Sequence, residues 1–299
     1  GDNNIGIGYH ANSATTTGDH NVAVGAEALD ANTQGSYNTA VGYTALGAMN
    51  FTTATNSYNL GVGASAGTAI TTAQAATCVG GRSGLALTTG SNNTLLGYQA
   101  GAAVTTGAEN TCIGFSAGDN ITTGGEIICI GDRTDPNAAD DDVEIVIGAS
   151  LTGAGDNTFA FGKTSVGRVY NNFGTNNAWT RDSDERKKTN IQDDTLGLSF
   201  IKDLRTVTFN WKPNNEHPTT MDSYQEKNDK NTTTVLHGVI AQEVKQALDN
   251  AGIDTFGGWN EEQDGSQTIS QEMFVYPLIK AVQELSAKVE ELEAQINGE

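Results

Sequence analysis

The sequence predicts a mainly β protein: a repetitive rod built on a 17-residue unit, then a small α+β domain ending in a coiled-coil helix. Three observations carry this prediction. Glycines recur at 8, 25, 42, 63, 80, 97, 114, 131 and 148 behind short alternating apolar segments. That period fails after about residue 165, and the stretch 277–297 carries a heptad.

The rod comes first, over 1–165. Asn4-Ile5-Gly6-Ile7-Gly8 aligns with Asn21-Val22-Ala23-Val24-Gly25, Asn38-Thr39-Ala40-Val41-Gly42 and Asn59-Leu60-Gly61-Val62-Gly63, and again at Asn93 and Asn110. The glycine step is 17 throughout, except for one step of 21 where four residues are inserted around Met49–Asn56. A shorter step to Gly162 ends the series. Fixed self-similarity of this length marks stacked supersecondary units, each unable to bury its own apolar face alone. The residue before each glycine is bulky and apolar (Ile7, Val24, Val41), and the one before that is mostly small (Gly6, Ala23, Ala40). Period-two alternation of this kind reads as a strand. Alanines 11, 28, 45, 66, 100 and 117 form a second recurrent phase. Thr-Thr-Gly punctuates the turns at 16–18, 88–90, 105–107 and 122–124, where glycine is expected to supply positive φ.

The expected form is a parallel β-roll or β-helix, about 40 Å long if nine strands stack at roughly 4.8 Å. Its interior is expected to be narrow, lined by Ala, Gly, Val, Ile and Cys, which suits three chains wound about one axis. Asn4, Asn21, Asn38, Asn59, Asn93 and Asn110 are expected to hold the turns through stacked amide hydrogen bonds. Cys78, Cys112 and Cys129 share one phase of the repeat, so they read as small core residues. Zinc would need closer spacing or histidine partners, and no metal or other cofactor is predicted. The repeat resembles the Asn-x-x-x-Gly head repeats of trimeric adhesins and phage fibres.

Charge narrows the function. The 299 residues carry 16 Lys and Arg against 36 Asp and Glu, a net charge of −20, which disfavours nucleic acid as a partner. No apolar run reaches the roughly 18–20 residues of a membrane span. The acidic loop at 132–137 and 140–142 reads as a solvated turn, with Ca²⁺ as the alternative. Tyr9, Tyr37, Tyr43, Phe51, Tyr58, Tyr98 and Phe115 fall on turns, where they are candidate sugar contacts. Gly1 without a methionine points to a fragment or processed chain, with a missing N-terminal part that would attach it to other proteins.

A junction over 166–182 leads to the second domain, 183–299. There Leu196–Leu204 suits a helix, Arg205–Trp211 alternates as a strand, and Lys212–Thr234 is a polar loop with Pro213 and Pro218. His237-Gly238-Val239-Ile240-Ala241-Gln242-Glu243-Val244 reads as a strand turning into a helix. The final helix places Leu278, Val282, Leu285, Val289, Leu292 and Ile296 on one seam at spacings of 4 and 3. Glu284, Lys288, Glu290, Glu291 and Glu293 clothe its outer faces. A coiled coil this short is marginal alone and makes sense within a larger trimer interface.

The stretch from Asp182 to Ile191 has a plain structural reading, with Asp182 as N-cap and Glu185 three residues later. Its Ser-Asp-x-Arg-x-Lys-x-x-Ile spacing, from Ser183 to Ile191, also resembles the start of the endosialidase-type intramolecular chaperone. The Gly238–Val244 segment and the terminal heptad resemble the same family in the same order. That resemblance implies a chaperone domain that trimerises, and a Ser183–Lys188 dyad that cuts Asp182–Ser183 once the trimer has folded. It implies at most a single-turnover serine peptidase acting on its own chain. His237, Asp184 and Asn190 are support residues on this reading, and Lys187 departs from the pattern, where an apolar residue is more usual. Such proteins are phage tail fibres and tailspikes: homotrimers made in the host cytoplasm, carried on the virion, and bound to other tail proteins and to a surface receptor such as a glycan. The alternative is a non-enzymatic trimeric adhesin that keeps its C-terminal cap.

Overall fold

The computed structural model describes residues 1–165, 167–174, 180–181, 183–228 and 230–298. The chain divides into two compact units, Gly1–Lys187 and Lys188–Glu299. Among the described residues, no helix is long and apolar enough to cross a membrane.

The first unit is a β-solenoid. Its strands are β1 (Ile5–Ile7), β2 (Val22–Val24), β3 (Gly35–Ser36), β4 (Thr39–Val41), β5 (Thr55–Asn56), β6 (Leu60–Val62), β7 (Thr77–Val79) and β8 (Thr94–Leu96). They continue with β9 (Thr111–Ile113), β10 (Ile128–Ile130), β11 (Ile145–Ala149), β12 (Thr158–Lys163), β13 (Gly167–Asn172) and β14 (Thr180–Arg181). From β1 to β12 one sheet runs parallel and in register, one strand per turn, with β3 and β5 outside it. The antiparallel strands β13 and β14 then end it. The four-residue insertion pairs β3 with β5 in a second short parallel sheet and buries Met49 and Phe51.

The three-residue strands from β2 to β10 each turn only the middle residue inward. Ala23, Ala40, Cys78, Leu95, Cys112, Cys129 and Val146 are fully buried. The cysteines thus occupy the core ladder, with Cys112 beside Cys129 in register. Most of the large interior residues come from the turns: Leu29, Leu46, Met49, Ile70, Leu87, Val104 and Ile121. Where a turn has Gly67 in place of leucine, Ile70 fills the space, its Cδ1 2.8 Å from where a Gly67 Cβ would stand. This corrects the expected lining. The Val, Leu and Ile before each glycine point outward, and residues of one chain fill the core at each turn.

Two glycine positions have distinct reasons. The closing glycines from Gly8 to Gly131 hold left-handed backbone, as at Gly42 (φ 136°), where a Cβ would lie 2.5 Å from the Gly63 carbonyl oxygen. The Thr-Thr-Gly glycines do not supply positive φ, contrary to expectation. A Cβ on Gly90 or Gly107 would strike the backbone carbonyl one turn on, so close approach is what requires glycine there. The positive φ falls on the residue before each asparagine instead, as at Tyr37 and Asn92.

The asparagine column holds the turns as expected. Asn21, Asn38, Asn59, Asn93 and Asn110 are buried. The Asn59 Oδ1 accepts the Ala76 N–H at 2.9 Å, and its Nδ2 donates to the Ala73 carbonyl at 2.8 Å. Asn21, Asn93 and Asn110 bridge in the same way. Each asparagine thus satisfies backbone groups that would otherwise be buried without partners. Asn59→Ala strands a donor and an acceptor, so it is expected to cost about 1–3 kcal/mol. A thermal melt against wild type measures this.

Glu144 stands in the asparagine column near the end of the solenoid. Its carboxylate is buried, accepting from the backbone of Asn137 (3.1 Å), Gly155 (2.8 Å) and Ala154 and from the Thr158 hydroxyl. Burial raises its pKa. Earlier in the same turn, burial and the nearby charge of Asp119 push half-buried Asp135 up from 3.8 to about 6. The folded state therefore binds that proton more tightly than the unfolded one. Its contribution is present below the ordinary carboxylate range and is lost as pH rises through about 6. Melting temperature is expected to fall between pH 4 and pH 7, and Asp135→Asn to flatten part of that fall. The remainder belongs to Glu144, whose shift has the same sign.

The second unit packs three helices on two hairpins: α1 (Leu198–Asp203), β15 (Val207–Phe209), β16 (Leu236–Gly238), α2 (Ala241–Ala251), β17 (Trp259–Glu261), β18 (Gln267–Ile269) and α3 (Val275–Asn297). Its core is Leu196, Phe200, Val244, Ala247 and Leu248, ringed by Phe256, Phe274 and Trp259. Gly252, left-handed, closes α2 by donating its N–H to the Asp249 and Leu248 carbonyls.

Candidate functional site

The junction is built by the last strand of the solenoid. β14 pairs with β13 through Val169–Arg181 and Tyr170–Thr180. Asp182, the expected N-cap and one side of the expected cut, lies outside the described residues. Ser183 follows and is exposed. The short helix expected here is a single 3-10 turn, Glu185–Lys187.

Asp184 organises that turn. Its Oδ1 accepts from the Arg186 backbone N–H at 2.9 Å and from Nε at 3.0 Å, and its Oδ2 accepts from Nη2 at 2.5 Å. The guanidinium fork, with the backbone N–H behind it, lowers the Asp184 pKa to about 2. The Arg186 side chain is 89% exposed, so the pair adds little stability and serves to shape the loop. Asn190 adopts the left-handed conformation at φ 53°, which asparagine tolerates well.

Lys187 and Lys188 are both exposed. The division between the compact units falls between them, so Ser183 belongs to the first unit and Lys188 begins the other.

In the second unit, His237 lies on β16 opposite Thr208 of β15, just before α2. It is the titratable residue lining a cavity of about 750 Å³, whose walls include Ile201, Leu204, Val239, Phe274 and Leu278. Thr206, Thr208 and Gln271 are further polar residues of that wall. Leu278 is also the first seam residue of α3. The whole seam is exposed, from Leu278 at 47% to Ile296 at 82%, while Pro277 and Ala281 are buried. Glu284 does not simply clothe an outer face, as expected. Its Oε2 accepts the Leu198 N–H at 2.8 Å, capping α1, whose N-cap Gly197 has no side chain to do so.

Residues 183–253 match the family model described as chaperone of endosialidase. Both motifs, from Ser183 and from His237, fall inside that segment, and α3 lies beyond it. A β-solenoid followed by this chaperone segment fits a tail-fibre protein with a C-terminal chaperone domain. No curated protein and no solved structure matches the chain.

Among the described residues, no group of three or more His, Cys, Asp or Glu side chains is placed to hold a metal ion. The acidic loop uses its carboxylates on backbone: Asp141 accepts from Ala138 and Asp142 from Gly125. Of the aromatic residues proposed for sugars, Phe51 is buried, whereas Tyr9, Tyr43 and Tyr98 are exposed. Tyr37 stacks between His20 and Tyr58, at 4.9 and 5.3 Å, so its faces are already covered.

Sequence reasoning missed the Arg186 fork, although an Asp-x-Arg spacing was a signal for it. It also missed the cavity beside His237, which depends on tertiary packing. Arg186→Gln removes the fork, and the Asp184 carboxyl titration followed by carbon NMR is expected to move from about 2 towards 3.8.

Proposed function

We propose that the chain is the distal part of a phage tail fibre or tailspike used in host attachment. Its chaperone segment brings three copies into register while the solenoid folds, then releases itself by cutting Asp182–Ser183. The observation that carries this reading is the chaperone-of-endosialidase match at 183–253, following the β-solenoid. The exposed seam of α3 supports trimerisation, because six apolar side chains at heptad spacing remain about half or more exposed among the described residues.

The chemistry is proposed as follows. Lys188, neutral, takes the proton of the Ser183 hydroxyl, and Oγ attacks the Asp182 carbonyl carbon. The C–N bond breaks, the Ser183 amine leaves with the proton from Lys188, and Asp182 is held as an ester on Oγ. Water then hydrolyses the ester, giving the Asp182 carboxylate and restoring the Ser183 hydroxyl. A neutral lysine near pH 7 needs removal from water or a neighbouring positive charge. Arg186 and Lys187 supply the charge, and packing of neighbouring copies over exposed Lys188 supplies the desolvation. The cut therefore waits for assembly.

Exposure of Lys188, with Lys187 beside it in place of an apolar residue, favours a second reading in which the dyad stays inert and the chaperone segment is a permanent trimer clamp. Intact mass and a denaturing gel separate the two. On the first reading wild type splits between Asp182 and Ser183, while Ser183→Ala and Lys188→Ala stay whole. If all three stay whole and light scattering finds trimers, the clamp reading stands. A stable monomer at low micromolar concentration sinks both.

A further inference from the structure

The sheet of the first unit buries one side and leaves the other open. From β1 to β11, leaving aside β3 and β5, which lie outside this sheet, the first and third residues of each strand face outward and are Ile, Val, Leu or Thr, and none is charged. Ile7 is 61% exposed and Leu96 43%. Register stacks Val24 on Val41, Val41 on Val62, Val62 on Val79, Val79 on Leu96, and Leu96 on Ile113. The result is an unbroken apolar column with one residue every strand spacing, about 4.8 Å. Contiguous apolar surface of this extent marks a contact face.

We propose that this face docks against the same face of two further copies, around a three-fold axis, with equal turns at equal heights. The inference rests on the trimer reading above and names the surface that reading leaves open. Charge favours this occupant. Residues 1–182 carry 15 acids and 5 bases, so copies repel unless they meet on a neutral face. The outward column is neutral along its whole length. Symmetry favours it too. A cyclic assembly sets the same residue of every copy at the same height, so Val79 meets Val79. A ladder with one repeating phase meets that condition at every turn, whereas a foreign partner would have to carry a matching period. A glycan is poorly served by the column, which offers aliphatic side chains and threonine without the clustered polar groups that orient a sugar. In the other unit, the heptad seam of α3 is an independent sign of self-association.

The test uses the full chain carrying Val79→Cys or Leu96→Cys on the face, or Thr89→Cys in an exposed turn off it. The native cysteines are fully buried. Circular dichroism checks the fold, light scattering gives the mass under reducing conditions, and a short bis-maleimide links neighbouring thiols. Trimers in which both face variants shift to twice the mass of the piece carrying them, while Thr89→Cys does not, are expected. Trimers in which neither face variant links, or only Thr89→Cys does, overturn the proposed face and leave the trimer reading intact. Monomers throughout overturn both.

Discussion

Most buried backbone groups in a solenoid turn find their partner a turn away, and the asparagine column provides this where the strands cannot. A strand of three residues, such as Thr77–Val79, satisfies only its own length of backbone. Between strands the chain bends sharply, and the inward carbonyls and N–H groups would be orphaned. Asn93 closes that gap by donating to the Gly90 and Gly107 carbonyls while accepting from Asn110 of the next turn. Because the side chain spans turns, the stacking distance must be nearly constant. That constancy in turn excludes a Cβ wherever two backbones meet, as at the Thr-Thr-Gly glycines.

The same constraint governs how the solenoid ends. Glu144 sits where the column would place asparagine, and a carboxylate can only accept. Its partners are accordingly donors: the N–H groups of Asn137, Ala154 and Gly155, and the Thr158 hydroxyl. Asparagine passes the pattern on to another turn, since it both donates and accepts. A carboxylate does not, and neither does Ile127, which holds the same column position one turn earlier. The parallel ladder persists for one more strand, β12, before the chain reverses into β13. A buried acid is thus compatible with the fold because the turn beyond it supplies backbone donors in place of carbonyls.

The repeat made the solenoid legible, because a 17-residue period fixes register, strand position and the inward phase together. The cysteine ladder and asparagine column followed from that period alone. What the period could not tell was which side of the alternation faces in when both residues are apolar. Val24 and Ala23 are each plausible core residues, and only the bulk delivered by turn residues such as Leu29 and Ile70 decides that the small one goes inside. The role of the Thr-Thr-Gly glycines was hidden for a related reason, since close approach between turns is a long-range property. At the junction, motif spacing marked Ser183, Lys188 and His237. The Asp184–Arg186 fork is local and was readable in principle. The cavity beside His237 and the capping of α1 by Glu284 join residues far apart in sequence, with no periodic signal to link them.

The two units expose apolar surface in different ways, and on the proposed function that difference sets the order of assembly. The α3 seam is a helical surface, formed from local contacts that fold quickly. The outward column of the solenoid exists only once many parallel turns have stacked, which is slow and leaves open edges meanwhile. A seam that gathers three chains first raises their local concentration before the columns are complete, and holds equal turns at equal heights. Once the columns had met, they would hold the rods together without the seam. Cutting after Asp182 would then remove the fast-folding element from a slow-folding product. A chain unfolded afterwards could not be gathered again, so the rod would persist by the slowness of its unfolding.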